Sequence, residues 1–155
     1  VIDGVWNHTG TEFWAFQDLL KNGVQSRYKD WYVVKTFDDP STRGKNEFDY
    51  EGWWGFKSLA VFMEQGETLM PAIREHIFAV TRRWMDPNGD GNPEDGIDGW
   101  RLDVAEEVGK EWWKEWHALV RQINPQANAA LKNGDVIAVG ATAIAFCNLL
   151  RSVLT

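Results

Sequence analysis

Cysteine is nearly absent: Cys147 is the single thiol in 155 residues. One thiol excludes an internal disulfide framework and says little about compartment. Positive charge is also in short supply. Lys and Arg number 16 against 23 Asp and Glu, a net charge of −7. Phosphate backbones are gripped by clustered Lys and Arg, so this balance argues against a nucleic-acid partner and for a solvated acidic surface. Long apolar runs are missing as well. A membrane helix needs about 20 apolar residues. The apolar stretch leading to Leu150 is shorter and is interrupted by Gly140 and Asn148. No membrane partner is expected. No signal peptide is visible, which is uninformative in a sequence that opens inside a strand, and no internal repeat or low-complexity tract is evident. The chain opens at Val1 inside what reads as a strand, so the natural N-terminus is expected to lie upstream.

Aromatic residues are what the chain has in excess. Ten Trp and eight Phe stand within 44% apolar residues, enough for one core and not obviously for two domains. Flat rings fill a core, and they also stack on the apolar faces of sugars.

Val1 to Trp6 reads as a short buried strand. A stretch without sustained periodicity follows, from about Thr9 to Gly66. It carries turn signals at Asp38-Asp39-Pro40-Ser41 and Arg43-Gly44-Lys45-Asn46. So long an excursion points to a functional loop or a small subdomain. A helix is predicted from near Thr68, with Pro71 in its first turn and Leu69, Ile73, Ile77, Val80 and Trp84 on one face. A strand is predicted over Ile97–Val104 and a second helix from Gly109 to Ile123, closed by Asn124-Pro125. Trp112, Trp116, Leu119 and Ile123 share the face of that helix. His76 and His117 read as ordinary surface or boundary residues. Val136–Gly140 reads as a third strand. Alternating strands and helices indicate parallel α/β structure.

The strand at Ile97 carries the chemistry. Side chains alternate along a strand, so Ile97, Gly99, Arg101 and Asp103 share one face. Asp98, Trp100, Leu102 and Val104 share the other. Arg and Asp two residues apart on a buried face are costly to place there. A neighbouring cation keeps a carboxylate charged, and a held, charged carboxylate suits a nucleophile. A structural ion pair is the plain alternative.

Upstream of the strand, Asp86, Asn88, Asp90 and Gly91 match the opening D-x-N-x-D-G of a calcium loop. The closing Glu of an EF-hand would fall at Ile97, so a full EF-hand is rejected. Asp95 can still supply a ligand. A plain turn rich in Asp, Asn and Gly is the alternative. Trp53-Trp54 reads as buried packing, with a sugar subsite as the alternative.

Two stretches together carry a resemblance. Asp3, Asn7 and His8 form D-x-x-x-N-H, and Gly99, Arg101 and Asp103 form G-x-R-x-D. Their order and separation resemble the first and second conserved regions of glycoside hydrolase family 13, the α-amylase family. The wording GIDGWRLDVA and FWAFQDLLKNGVQSRYKDWY is most similar to the cyclomaltodextrinase, neopullulanase and maltogenic amylase branch. The resemblance covers about Val1 to Gln126.

It implies an α/β fold, a partial (β/α)8 TIM barrel of about strands three to five. Residues 1–155 would be a fragment of the catalytic barrel. Val1–Trp6 would be the third strand and Ile97–Val104 the fourth. A subdomain inserted after the third strand would lie within about 9–66, and 127–155 would be a divergent tail. It also implies retaining hydrolysis or transfer at α-1,4-linked glucans such as cyclodextrins, maltooligosaccharides, pullulan or starch. Asp103 would be the nucleophile, held by Arg101. His8 would bind the sugar next to the scissile bond, and Asp3 would support Arg101. No cofactor is required. Calcium is optional, with Asn7, or Asp86, Asn88 and Asp90, as its ligands. The full-length parent would form a homodimer, with a cytoplasmic setting favoured over secretion.

The resemblance also shows a departure. The family's third region places a general-acid Glu after a V-G pair, but Val139-Gly140 is followed by Ala141. The fourth region, with its His-Asp pair, is missing. The stretch by itself is therefore expected to hydrolyse no glucan. A catalytically inactive amylase-like binding module is the competing class, and a calcium-binding module is a third.

Overall fold

The computed structural model describes residues 2–125, apart from 44 and 98. Ala141, Cys147, the strand expected over 136–140 and the tail at 127–155 lie outside the described residues. So does Asp98. In chain order the elements are β1 (Ile2–Val5), β2 (His8–Gly10), α1 (Trp14–Asn22), β3 (Val34–Thr36), β4 (Asp49–Tyr50) and β5 (Leu59–Val61). They continue with β6 (Glu64–Gln65), β7 (Thr68–Leu69), α2 (Pro71–Met85), β8 (Trp100–Asp103) and α3 (Lys110–Ile123). Among the described residues, no helix is long and apolar enough to cross a membrane.

The chain forms two compact units. One joins 1–6 to the chain from Glu64 onward. The other is Asn7–Met63.

In the first unit, β1 and β8 pair in parallel, with Asp3 opposite Arg101 and Val5 opposite Asp103. The strand expected over Ile97–Val104 is shorter than its apolar pattern suggested. Ile97 N–H is drawn away to Trp84 O, 2.9 Å, at the end of α2. Val104 turns left-handed at φ 41° and stops the ladder after Asp103. Gly96 makes the approach to α2 possible: a Cβ there would sit 2.1 Å from Met85 O. The alternation itself holds, with Trp100 and Leu102 buried behind the strand and Arg101 and Asp103 half-buried on the other face.

Helix α2 begins at Pro71, where a missing N–H costs nothing. Thr68 and Leu69 belong instead to the hairpin β6–β7. The buried face of α2 is Ile73, Ile77, Thr81 and Met85, not the expected line through Val80 to Trp84; Trp84 is exposed. Strict four-residue spacing wins because Thr81 has a purpose inside. Its hydroxyl donates to Ile77 O at 2.9 Å and accepts from Trp116 Nε1 at 3.0 Å.

Helix α3 buries Trp112, Trp113, Trp116, Leu119 and Val120. His117, expected at the surface or boundary, is buried too. Trp6, Trp100 and Trp116 form a mutual cluster, with ring centroids 5.3–6.4 Å apart. Each buried aromatic of this size is worth about 2–3 kcal/mol in transfer alone. This tryptophan knot fixes the back of β8.

In the second unit, β2 pairs with β5 and β3 with β4, both antiparallel. Helix α1 buries Ala15, Phe16 and Leu19. It ends at Gly23, φ 52°, whose N–H returns to Leu19 O. Phe16 packs edge-on against Tyr32 and Tyr50, with centroids 5.0 and 4.8 Å away.

Candidate functional site

Sequence and ladder register together build one charged array. Asp3 on β1 lies opposite Arg101 on β8. Asp103 follows two residues on, on the same face as Arg101. One guanidinium then serves both acids. Arg101 Nη1 donates to Asp3 Oδ2 and Nη2 to Asp103 Oδ1, each at 2.9 Å. Side-chain exposures are 57% for Asp3, 36% for Arg101 and 28% for Asp103, so the array is open to an incoming molecule. Asp103 keeps Oδ2 outside the pair with Arg101. A carboxylate held by one oxygen has its second oxygen left for another partner.

Directly after Asp103 the backbone is unusual. Val104 is a β-branched residue at φ 41°, ψ 43°, a conformation Val rarely adopts. The following 3-10 turn, Ala105–Glu107, is pinned from behind by Trp113 Nε1. That N–H donates to Ala105 O at 2.9 Å and Val108 O at 3.2 Å. Glu106 and Glu107 sit exposed in this exit turn.

Asn7 and His8 belong to the other unit and are described there alone. Both are buried, His8 at 8% exposure. Asn7 Nδ2 lies 3.2 Å from His8 Nδ1. An amide nitrogen only donates, so Nδ1 is the acceptor of this contact. The imidazole also stacks on Trp53, with centroids 5.6 Å apart and 19° between planes. With its amide nitrogen spent on His8, Asn7 has only Oδ1 left to offer a metal.

The acidic loop after α2 gathers Asp86, Asp90 and Asp95, whose carboxylate oxygens lie within 4.8 Å of one another. An all-oxygen set fits a hard cation. The loop is also closed by its own turns. Asp86 accepts from Gly89 N at 2.9 Å and Gly91 N at 3.1 Å. Asn88 Oδ1 accepts from Asp90 N at 2.9 Å.

A candidate site residue was also misread, beside Trp84 and His117. Trp54, expected to be buried, is 77% exposed. A local signal was present: Trp54 precedes Gly55 in a glycine-flanked turn, where surface residues collect.

Known proteins resemble this chain in sequence and fold. Residues 1–132 match the family Alpha-amylase, described as "Alpha amylase, catalytic domain". The chain is 42% identical over 127 residues to neopullulanase 2 of Thermoactinomyces vulgaris, covering 82% of this chain and 19% of that protein. It is 36% identical over 127 residues to a cyclomaltodextrinase of a Bacillus species, covering 82% and 20%. The solved debranching enzyme of Nostoc punctiforme superposes with a TM-score of 0.64 at 32% identity, covering 81% of this chain and 24% of that one. The chain thus spans about a fifth of the length of the curated relatives it matches. With a matched stretch running through both Asp3 and Asp103, the chain belongs to the alpha-amylase family.

Proposed function

We propose that the chain supplies the nucleophile half of a retaining α-glucan glycosidase site. One observation carries the reading: the forked pair of hydrogen bonds from Arg101 to Asp3 and Asp103. In this reading the free oxygen of Asp103 attacks the anomeric carbon as the bond to the leaving oxygen breaks. A glycosyl ester on Asp103 results, which water later hydrolyses. Arg101 orients Asp103 through a planar fork that a lysine cannot reproduce. His8 contacts the sugar next to the scissile bond in this reading. The unit Asn7–Met63 is the subdomain inserted after a barrel strand, with β1 and β8 as adjacent strands of the barrel. Relatives named for pullulan and cyclomaltodextrin support an α-glucan substrate. Calcium stays optional, because the Asp86–Asp95 loop closes on its own hydrogen bonds.

The sequence-level absence of a Glu at Ala141 favours the second reading, an amylase-like module that binds glucan without turning it over. One experiment separates the two. A 5-fluoro-α-glycosyl fluoride needs no general acid, because fluoride leaves unaided. The carboxylate of Asp103 forms a bond to the anomeric carbon, the C–F bond breaks, and fluoride departs. Mass spectrometry of the peptides is expected to place the label on Asp103 and to find none in Asp103→Asn. Sugar binding without any label at Asp103 would leave the binding-module reading in its place.

A further inference from the structure

The loop between α2 and β8 contains an Asn-Gly pair, Asn88-Gly89. In such a pair the backbone nitrogen of the glycine can reach the side-chain amide before it, because no Cβ blocks the approach. The same pair stands at Asn22-Gly23, and again at 133–134, outside the described residues. The two described pairs are held differently. Asn22 closes α1 at φ −109°, ψ −8°, close to helical. Gly23 N–H is tied to Leu19 O, and Asn22 Nδ2 donates to Asp18 Oδ2 at 3.0 Å. A helical hydrogen bond must open before the nitrogen of Gly23 is free.

Around Asn88 each reacting atom has a partner suited to the same reaction. Gly89 N, the nucleophile, donates to Asp86 Oδ1 at 2.9 Å, a carboxylate placed to take its proton. Asn88 Oδ1 accepts from Asp90 N at 2.9 Å, a donor where negative charge gathers as the amide carbon is attacked. Asn88 Nδ2, the leaving nitrogen, donates to Asp90 Oδ2 at 3.1 Å. These partners also fix which way the amide points, since its nitrogen only donates and its oxygen only accepts. Arg83 Nη1 anchors the approach to the pair by donating to Pro87 O at 2.6 Å. Asn88 and Gly89 are exposed. A Cβ on Gly89 would meet nothing within 4 Å, so the loop tip has room for a ring and for water.

We infer that Asn88 is a self-modification site, at which the folded loop promotes its own deamidation. Gly89 N forms a bond to Asn88 Cγ while the Cγ–Nδ2 bond breaks. The proton lost by Gly89 N passes through the Asp86 carboxylate to the departing nitrogen, which leaves as ammonia. A cyclic imide then joins residues 88 and 89. Water opens it at either carbonyl, giving an aspartyl or an isoaspartyl linkage. The product replaces a neutral amide by a carboxylate beside Asp86, Asp90 and Asp95, whose oxygens already lie within 4.8 Å of one another. Like charges at that range repel. The isoaspartyl form also lengthens the backbone and removes the acceptor for Asp90 N, so the modified loop is looser.

Asn22 is an internal control for the test. The folded full chain is incubated in heavy-oxygen water at mildly alkaline pH, digested and read by mass spectrometry. Each opening of an imide places heavy oxygen at the converted residue. Label is expected to accumulate at Asn88 about tenfold faster than at Asn22, the scale of one backbone hydrogen bond that Gly23 must break. In urea the two rates are expected to converge. A gap that persists in urea would belong to the neighbouring residues in sequence and would overturn the inference. So would equal rates in the folded chain. Asp86→Asn removes the carboxylate without adding a reactive pair, since Pro87 has no N–H to give. It is expected to bring the rate at Asn88 down to about that at Asn22, with the rate at Asn22 unchanged. An unchanged or faster rate at Asn88 would mean that the loop's hydrogen bonds restrain the amide, which also overturns the inference. Melting curves show whether the variant is folded; if it is not, the comparison of the two sites in the wild-type chain decides.

Discussion

At the scale of single residues, Arg101 and Val104 make opposite demands. Arg101 bridges two partly exposed acids, and ion pairs of that exposure are worth about 0–1 kcal/mol. Its value to the fold is small and its value to geometry large. Arg101→Met is therefore expected to leave the urea midpoint almost unchanged while slowing the labelling of Asp103 by about a hundredfold, the scale of a misplaced reacting group. Parallel urea melts and labelling rates check this; an equal loss in both would make Arg101 a structural residue. Val104 is the converse case. Its left-handed backbone holds energy that Asn tolerates better. Val104→Asn is expected to stabilise the chain by about 1 kcal/mol in urea melts. Val104 and Trp54 are the non-glycine residues with positive φ among those described. One directly follows the proposed nucleophile, and the other stacks on Trp53, which itself stacks on His8. Neither strain was legible in the sequence, because nothing in a one-letter code marks a valine or tryptophan as left-handed.

At the scale of elements, hydrogen bonds between them decide the outcome. Thr81 on α2 receives the indole N–H of Trp116 on α3 at the centre of the first unit. Thr81→Val keeps the shape and orphans that donor. It is expected to cost about 1–3 kcal/mol, read from the denaturation midpoint. A loss well below that range would mean that water or another acceptor satisfies Trp116. The loop after α2 is argued in the same way. Asp86→Ala strips the acceptor from Gly89 and Gly91 and is expected to cost about 1 kcal/mol even in a chelator. If chelation alone brings the wild-type protein down to the mutant's stability, the ion holds the loop and the turn does not. The elements also show what periodicity can convey. Pro71 at the start of α2 and the Trp112–Trp116–Leu119 face of α3 were readable because start signals and apolar spacing agree with the packing. That β1 and β8 run parallel was legible in the alternation of strands and helices, while their places as successive strands came only with the family resemblance. Helix α1 was missed: its buried set, Ala15, Phe16 and Leu19, covers little more than one turn, and aromatic residues crowd both sides of it. The buried line of α2 was misdrawn because Thr81 counts as polar in a pattern but is buried once Trp116 satisfies it.

At the scale of the whole molecule, the second unit contains a built-in alkaline weakness. Tyr32 lies at its centre, 1% exposed, between Phe16 and Phe62. Burial pushes its phenol up to about 12, against a hydrogen bond with Thr9 that works the other way. The neutral phenol is thus favoured by folding. The stability it contributes is fully present below the unfolded value near 10 and is lost as pH rises through about 12. The loss across that window is about 2–3 kcal/mol. Thermal melts at increasing pH are expected to fall more steeply through this interval in the wild type than in Tyr32→Phe, which has no proton to lose. The tyrosinate absorbance of the wild type is expected to include a late step that coincides with unfolding and is absent from the variant. Two units make the form of the transition informative as well. If they unfold independently, alkali splits one melt into two, and only the earlier component responds to Tyr32→Phe. If a single transition moves as a whole, loss of the Tyr32 core takes the Arg101 array with it. The labelling rate at Asp103 would then fall in step with the second unit, although Tyr32 lies outside the unit that holds that array.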